Sequence, residues 1–127
     1  MITNFYISDS KSQIISAELS SDKFYLVNFL NINIILKEKI RNCKIFELET
    51  NLIERSGFNP MRTLTFFIIP IGHNFYSYLP PQKIYYKLSL SNLKSPIFVL
   101  REPSSGEIIP IRDISVQLEL RETNGWF

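Results

Sequence analysis

Strict alternation of apolar and polar residues near the end of the chain constrains its fold more than any other feature. Residues 114–122 read ISVQLELRE, and the apolar members are Ile114, Val116, Leu118 and Leu120. Because successive side chains of a β-strand point to opposite faces, this pattern predicts a strand with one buried and one solvated face. Residues 83–91, KIYYKLSLS, repeat the pattern and predict a second such strand. Both segments are typical of a half-solvated antiparallel sheet.

The composition extends the β prediction to the whole chain. Nineteen Ile, ten Phe and six Tyr stand against a single alanine, Ala17. β-branched and aromatic side chains suit a pleated, half-buried surface better than a helix. The 127 residues are enough to build one core, so we expect a single β domain over residues 1–127.

Two segments are apolar on both faces, namely residues 64–70, LTFFIIP, and residues 24–36, FYLVNFLNINIIL. Such segments are either central strands covered on each side or strands whose outer face meets a partner. The second segment is longer than a usual strand, so we expect it to break at Asn31.

The remaining apolar segments are shorter. Residues 97–109 predict a β-hairpin in which Gly106 supplies the positive φ of the turn, with Pro110 interrupting the chain before the last strand. Residues 45–54 fit a strand by alternation and a helix by the spacing of their apolar residues, with Gly57 as a helix stop. We favour the strand.

These elements predict an all-β fold of about eight short strands, with turns every eight to twelve residues. The arrangement that suits them best is a single-domain antiparallel β-sandwich, jelly-roll-like, and the alternative is an OB-like barrel.

The chain offers few groups for catalysis or for binding a metal. His73 is the only histidine and Cys43 the only cysteine, which cannot supply a closed zinc site. None of the four glycines are closely spaced, so no phosphate-cradling loop is present. Glu47 and Glu49 share a strand face, and we interpret them as a solvated surface. We therefore expect no enzymatic activity and no cofactor.

An aromatic segment between prolines, PIGHNFYSYLPP at residues 70–81, is a candidate contact surface for another protein. Tyrosine and phenylalanine give large contact areas, which interfaces favour. We assign Phe75, Tyr76 and Tyr78 to this surface, together with Trp126 and Phe127 at the end of the chain. The alternative is a hairpin connection in which Phe75 and Leu79 fold back onto the core. In either case His73 is interpreted as a turn residue.

Basic residues cluster in KEKIRNCK, where only Glu38 opposes Lys37, Lys39, Arg41 and Lys44. If the segment is extended, Lys37, Lys39 and Arg41 project from one face, as in modules that bind single-stranded nucleic acid. The alternative is a charged turn or a protected edge strand. The net charge of +2 creates no strong global field, so nucleic acid is the less favoured partner.

The sequence predicts neither a signal peptide nor a membrane span, because prolines and glycine interrupt its longest uncharged stretch. We expect a cytoplasmic or virion location, and the abundance of Ile, Asn, Lys, Phe and Tyr indicates an AT-rich genome. The favoured hypothesis is a non-enzymatic assembly subunit, such as a capsid-associated virion component, that packs with copies of itself or with other subunits. The alternatives are an OB-like module for single-stranded nucleic acid and a carbohydrate-binding sandwich that uses Tyr76, Tyr78 and Trp126.

Overall fold

The computed structural model describes residues 2–8, 23–42, 44–54 and 61–123. Within these ranges the regular secondary structure is β-strand except for one short 3-10 helix, which confirms the all-β prediction. The elements are β1 (Ile2–Ser8), β2 (Phe24–Leu36), β3 (Ile45–Thr50), β4 (Arg62–Ile68), β5 (Phe75–Tyr78), β6 (Tyr86–Lys87), a 3-10 helix (Leu90–Lys94), β7 (Phe98–Arg101) and β8 (Ile111–Thr123). No helix in these ranges is long and apolar enough to cross a membrane.

The strands form two antiparallel sheets that pack face to face. The first sheet has the order β1-β8-β2-β5, with β6 also pairing with β2, and the second has the order β4-β3-β7. The chain exchanges sheets repeatedly, and the described strands β1 and β8 are neighbours. The described strands do not close into a barrel, so the sandwich prediction is confirmed and the OB-like barrel is wrong.

Buried side chains from both sheets form one hydrophobic cluster between them. Every apolar member of the alternating segment 114–120 is buried there, as predicted. The second sheet contributes Phe46, Leu48 and Leu100. Period-two alternation therefore places one face of β8 in the core from Ile114 to Leu120.

The first sheet differs from prediction at β2, which continues through Asn31 without a break. Its pairing with β8 shifts between Phe29 and Asn31, so Leu30 is an extra residue on the β2 side. A β-bulge of this kind absorbs one residue and bends the strand while pairing continues on both sides. The predicted break at Asn31 is therefore wrong.

The predicted long strand over residues 83–91 is also wrong, because only β6 pairs with β2 and the 3-10 helix follows. Two asparagine side chains hold this segment against the end of β3. Asn92 Nδ2 donates to the backbone oxygen of Asn51 at 2.9 Å, and Asn51 Oδ1 accepts from the backbone N–H of Ile97 at 2.8 Å. These bonds replace the ladder that a longer strand would form.

The ambiguous segment and the hairpin agree with the favoured predictions. Residues 45–50 form β3, so the strand interpretation is confirmed. After β7, Gly106 adopts φ = 76°, and the N–H of Ile109 donates to the oxygen of Leu100 at 2.8 Å. The second arm of this hairpin pairs with β7 through a single β-bridge between Arg101 and Ile108. Strand β8 begins directly after Pro110.

Candidate functional site

The aromatic residues predicted to form a contact surface belong to strand β5 and divide between its two faces. Phe75 is 51% exposed, whereas Tyr76 and Tyr78 are half-buried and pack against the core. Burial raises the pKa of both tyrosines. The alternative prediction, a hairpin connection with Phe75 and Leu79 folded back onto the core, is wrong. Both side chains point outward, and residues 75–78 form strand β5. Trp126 and Phe127 lie outside the described residues.

A tight turn precedes β5 and includes the only histidine. The N–H of His73 donates to the oxygen of Pro70 at 3.0 Å, and Gly72 takes φ = 85° between them. The carbonyl of His73 accepts from the N–H of Ile40 at 2.8 Å. These contacts give the backbone of His73 a structural role.

An apolar patch lies on the outer face of the β4-β3-β7 sheet, and we define it as Ile45, Phe66 and Ile68. These side chains are 57%, 58% and 54% exposed, respectively. Ile45 lies opposite Ile68 across the β3–β4 pair. Phe66 precedes Ile68 by two residues on β4, so it lies on the same face. The three side chains are therefore contiguous.

The exposure pattern of β4 corrects one of the two interpretations of residues 64–70. Phe67 and Ile69 are buried in the core, while Phe66 and Ile68 between them face outward. A central strand covered on both faces is therefore wrong for this segment. An outer face that meets a partner stays a prediction.

Carboxylates border the apolar patch and are held by specific partners. Arg101 Nε donates to Glu49 Oε1 at 2.9 Å, and Thr63 Oγ1 donates to Glu47 Oε2 at 3.1 Å. Burial, followed by the neighbouring Glu49, raises the pKa of Glu47. Glu49 is only 7% exposed, so the expectation that the two glutamates form a solvated surface is wrong for Glu49.

A shallow groove of about 690 Å³ lies beside the apolar patch. Ile45 and Phe66 line it together with Lys44, Glu102, Pro103 and Ser104. Lys44 Nζ lies 3.0 Å from Glu102 Oε2, so an ion pair closes one side of the groove. The patch and groove together have an apolar centre with a polar rim, as protein interfaces do.

The four basic residues grouped by the sequence analysis surround one cavity of about 240 Å³. Lys37, Lys39 and Arg41 lie on the connection between β2 and β3, which is a loop, and Lys44 lies just before β3. The loop therefore replaces the extended segment that would project them from one face. The cavity is also lined by Glu38 and Glu107, and its apolar lining consists of Leu36, Ile40, Phe46, Ile109 and Pro110, with Asn42 completing the wall.

The described part of the chain holds no group of three or more His, Cys, Asp or Glu residues that could bind a metal ion. Cys43 lies outside that part. The chain therefore presents two candidate sites among its described residues, the apolar patch with its groove and the basic cavity. The four basic residues lie close together in the sequence and line one cavity, whereas Ile45 lies far in the sequence from the segment of residues 64–70 that contains Phe66 and Ile68.

Comparison with known proteins found no matching family model, no matching curated protein and no matching solved structure. The chemistry of these two sites is therefore the basis for the functional inference.

Proposed function

We propose that this protein is a non-enzymatic assembly subunit that packs against copies of itself through the apolar patch. The observation that carries the proposal is the contiguous exposure of Ile45, Phe66 and Ile68 on one sheet face. Large contiguous apolar surfaces on soluble proteins mark sites of protein interaction.

The gain from covering this patch supports the proposal in magnitude. Fully burying a large apolar side chain contributes roughly 1.5–3 kcal/mol, so covering a half-exposed one contributes about 1 kcal/mol. The three residues of the patch together contribute about 3 kcal/mol. Because association also costs orientational freedom, contacts in the adjoining groove have to add to this gain.

The rim supports a specific geometry rather than unspecific adhesion. The ion pairs Arg101–Glu49 and Lys44–Glu102 hold charged groups in fixed positions around the patch. Fixed charges at the edge of an interface select its register and orientation. Two copies related by a two-fold axis would present the same patch and rim to each other.

The setting that we propose is a virion or a similar particle, in which many copies of one small subunit cover a surface. The β-sandwich architecture and the abundance of residues with AT-rich codons support this setting by analogy. This analogy rests on the fold, which does not determine function, so the proposal for this chain depends on the apolar patch.

Light scattering over a protein concentration series at low and high salt tests the proposal. We expect the wild-type protein to form an oligomer that persists at high salt, since its interface is mainly apolar. The double variant Phe66→Thr/Ile68→Thr places β-branched threonine, which suits a strand, at both positions and should shift the mass to that of the monomer. The matched control is Leu79→Thr/Ile84→Thr, which removes two exposed apolar side chains outside the patch and should leave the oligomer intact.

Two results would contradict the proposal. One is a wild-type protein that stays monomeric at every concentration. The other is an oligomer whose mass responds equally to the patch variant and to the control.

A further inference from the structure

We propose that the basic cavity between the β2–β3 loop and the β7–β8 connection binds a phosphate group. Four cationic side chains line it, from Lys37, Lys39, Arg41 and Lys44. Arginine and lysine are the side chains that recognise phosphate most often, by charge-assisted hydrogen bonds. This inference is independent of the proposed assembly function.

Three of the four cations are available to a ligand. Lys44 is engaged by Glu102 at 3.0 Å. Within the described ranges, Lys37, Lys39 and Arg41 form no ion pair and no side-chain hydrogen bond. An anion in the cavity would give these groups the partners that the described residues do not supply.

The two carboxylates of the lining determine what kind of anion fits. Glu38 and Glu107 leave the cavity with a formal charge of +2 from four cations and two anions. A broad basic surface would attract any polyanion, whereas this mixed lining favours one compact anionic group placed close to the cations and away from the carboxylates.

Backbone hydrogen bonds hold the loop that carries the cations. The N–H of Ile40 donates to the oxygen of His73 at 2.8 Å, and the N–H of Gly72 donates to the oxygen of Ile40 at 2.7 Å. At the start of the loop, the N–H of Lys37 donates to the oxygen of Pro110 at 3.4 Å. A loop fixed in this way loses little conformational entropy when a ligand binds.

The size and the apolar lining of the cavity limit the ligand further. Its volume of about 240 Å³ is below the roughly 300–1,000 Å³ of sites that enclose a whole drug-sized ligand. Leu36, Phe46 and Ile109 provide apolar surface beneath the cations. The cavity therefore has room for a phosphate group, either free or as part of a nucleotide or a nucleic-acid chain.

Two probes distinguish these sources. Isothermal titration calorimetry measures the binding of inorganic phosphate, and fluorescence anisotropy measures the binding of a labelled oligothymidylate at low and high salt. Labelled polyglutamate, an anion without phosphate, is the control for unspecific attraction. Binding of phosphate alone assigns the site to a small ligand, and binding of the oligonucleotide assigns it to a nucleic-acid chain.

The test variant is Lys39→Gln/Arg41→Gln, which leaves Lys44 and its ion pair beside the groove unchanged. We expect it to bind the probe at least about tenfold more weakly, because a hydrogen bond to a charged group contributes about one decade of affinity. The matched control Lys83→Gln/Lys87→Gln removes the same charge. Lys87 pairs with Leu26, about 30 Å along β2 from the cavity at Leu36, so this variant should bind like the wild type.

The proposal would be overturned by a protein that binds neither probe. It would also be overturned if polyglutamate binds as well as the oligonucleotide, or if both double variants weaken binding equally. Because all four substituted side chains are exposed, we expect the variants to fold, and their circular dichroism melting curves verify this.

Discussion

The ring of Tyr76 stacks on the ring of Phe67, with centroids 3.8 Å apart and planes 7° from parallel. Tyr76 belongs to β5 in the first sheet, and Phe67 belongs to β4 in the second. Phe67 in turn contacts Phe46 on β3 at a centroid distance of 6.1 Å. The stack therefore joins an edge strand of each sheet and closes one side of the sandwich.

We expect Tyr76→Ala to lower the free energy of unfolding by about 2 kcal/mol. Removing a fully buried aromatic side chain costs about 3–5 kcal/mol, and Tyr76 is half-buried. Its neighbour Phe75 faces outward on the same strand and is 51% exposed, so Phe75→Ala should cost less, about 1 kcal/mol. Urea denaturation measures the free energy of unfolding of both variants. Equal losses of stability would show that the Tyr76–Phe67 stack does not stabilise this side of the sandwich.

The ion pair between Arg101 and Glu49 should contribute more to stability than a surface pair. Glu49 is almost fully buried, so Arg101→Gln leaves its charge without the compensating cation. Breaking a buried pair costs about 3–5 kcal/mol, and the partial exposure of Arg101 reduces the expected loss to about 1–2 kcal/mol.

The control for this prediction is the exposed pair between Lys23 and Glu122, whose nitrogen and oxygen lie 3.1 Å apart. Lys23→Gln should cost no more than about 0.5 kcal/mol. Thermal unfolding at low and high salt compares the two variants. A loss for Arg101→Gln no greater than that of Lys23→Gln would refute the special role of the buried pair.

Two glutamates on the second sheet and its hairpin should give opposite dependences of stability on pH. Burial is the main cause that raises the pKa of Glu47, and the neighbouring Glu49 adds to it. The stabilising contribution of Glu47 is therefore complete below the unfolded-state pKa of about 4.3 and is lost as the pH rises through the folded-state pKa. Hydrogen bonds from Lys44 and then Ser104 lower the pKa of Glu102. Its contribution is present above about 4.3 and is lost as the pH falls.

Melting temperatures between about pH 3 and 7 check both signs, with each glutamate replaced by glutamine. Relative to the wild type, Glu47→Gln should gain stability as the pH rises, because it removes the cost of ionising a desolvated carboxyl. Glu102→Gln should be destabilised near neutral pH, and the difference should vanish in acid. Parallel curves for the two variants would contradict the assignment.

The part of the fold that depends on local pattern could be predicted from the sequence. The alternation of residues 114–120 identified the buried face of β8, and Gly106 identified the hairpin turn, because backbone geometry alone dictates both. The bulge at Leu30 depends on the register of β8 against β2, which lies more than eighty residues away in the chain. No local pattern contains that information.

Long-range contacts also explain what was missed at the candidate sites. The two-faced apolar character of residues 64–70 was visible, but whether its outer face is covered depends on tertiary packing, which leaves Phe66 and Ile68 exposed. The basic residues were visible as a cluster. That they surround a cavity depends on the hydrogen bonds between Ile40 and the turn at Gly72 and His73.

Gly106 provides the most direct test of the hairpin beside the groove. Its φ of 76° lies in the left-handed region, and a Cβ added there meets nothing within 4 Å. Gly106→Ala should therefore cost about 1–2 kcal/mol from backbone strain alone, without a steric clash. Asparagine tolerates this conformation better than alanine, so Gly106→Asn should lose less stability. Chemical denaturation ranks the three proteins, and an alanine variant as stable as the wild type would mean that this turn does not require the left-handed conformation.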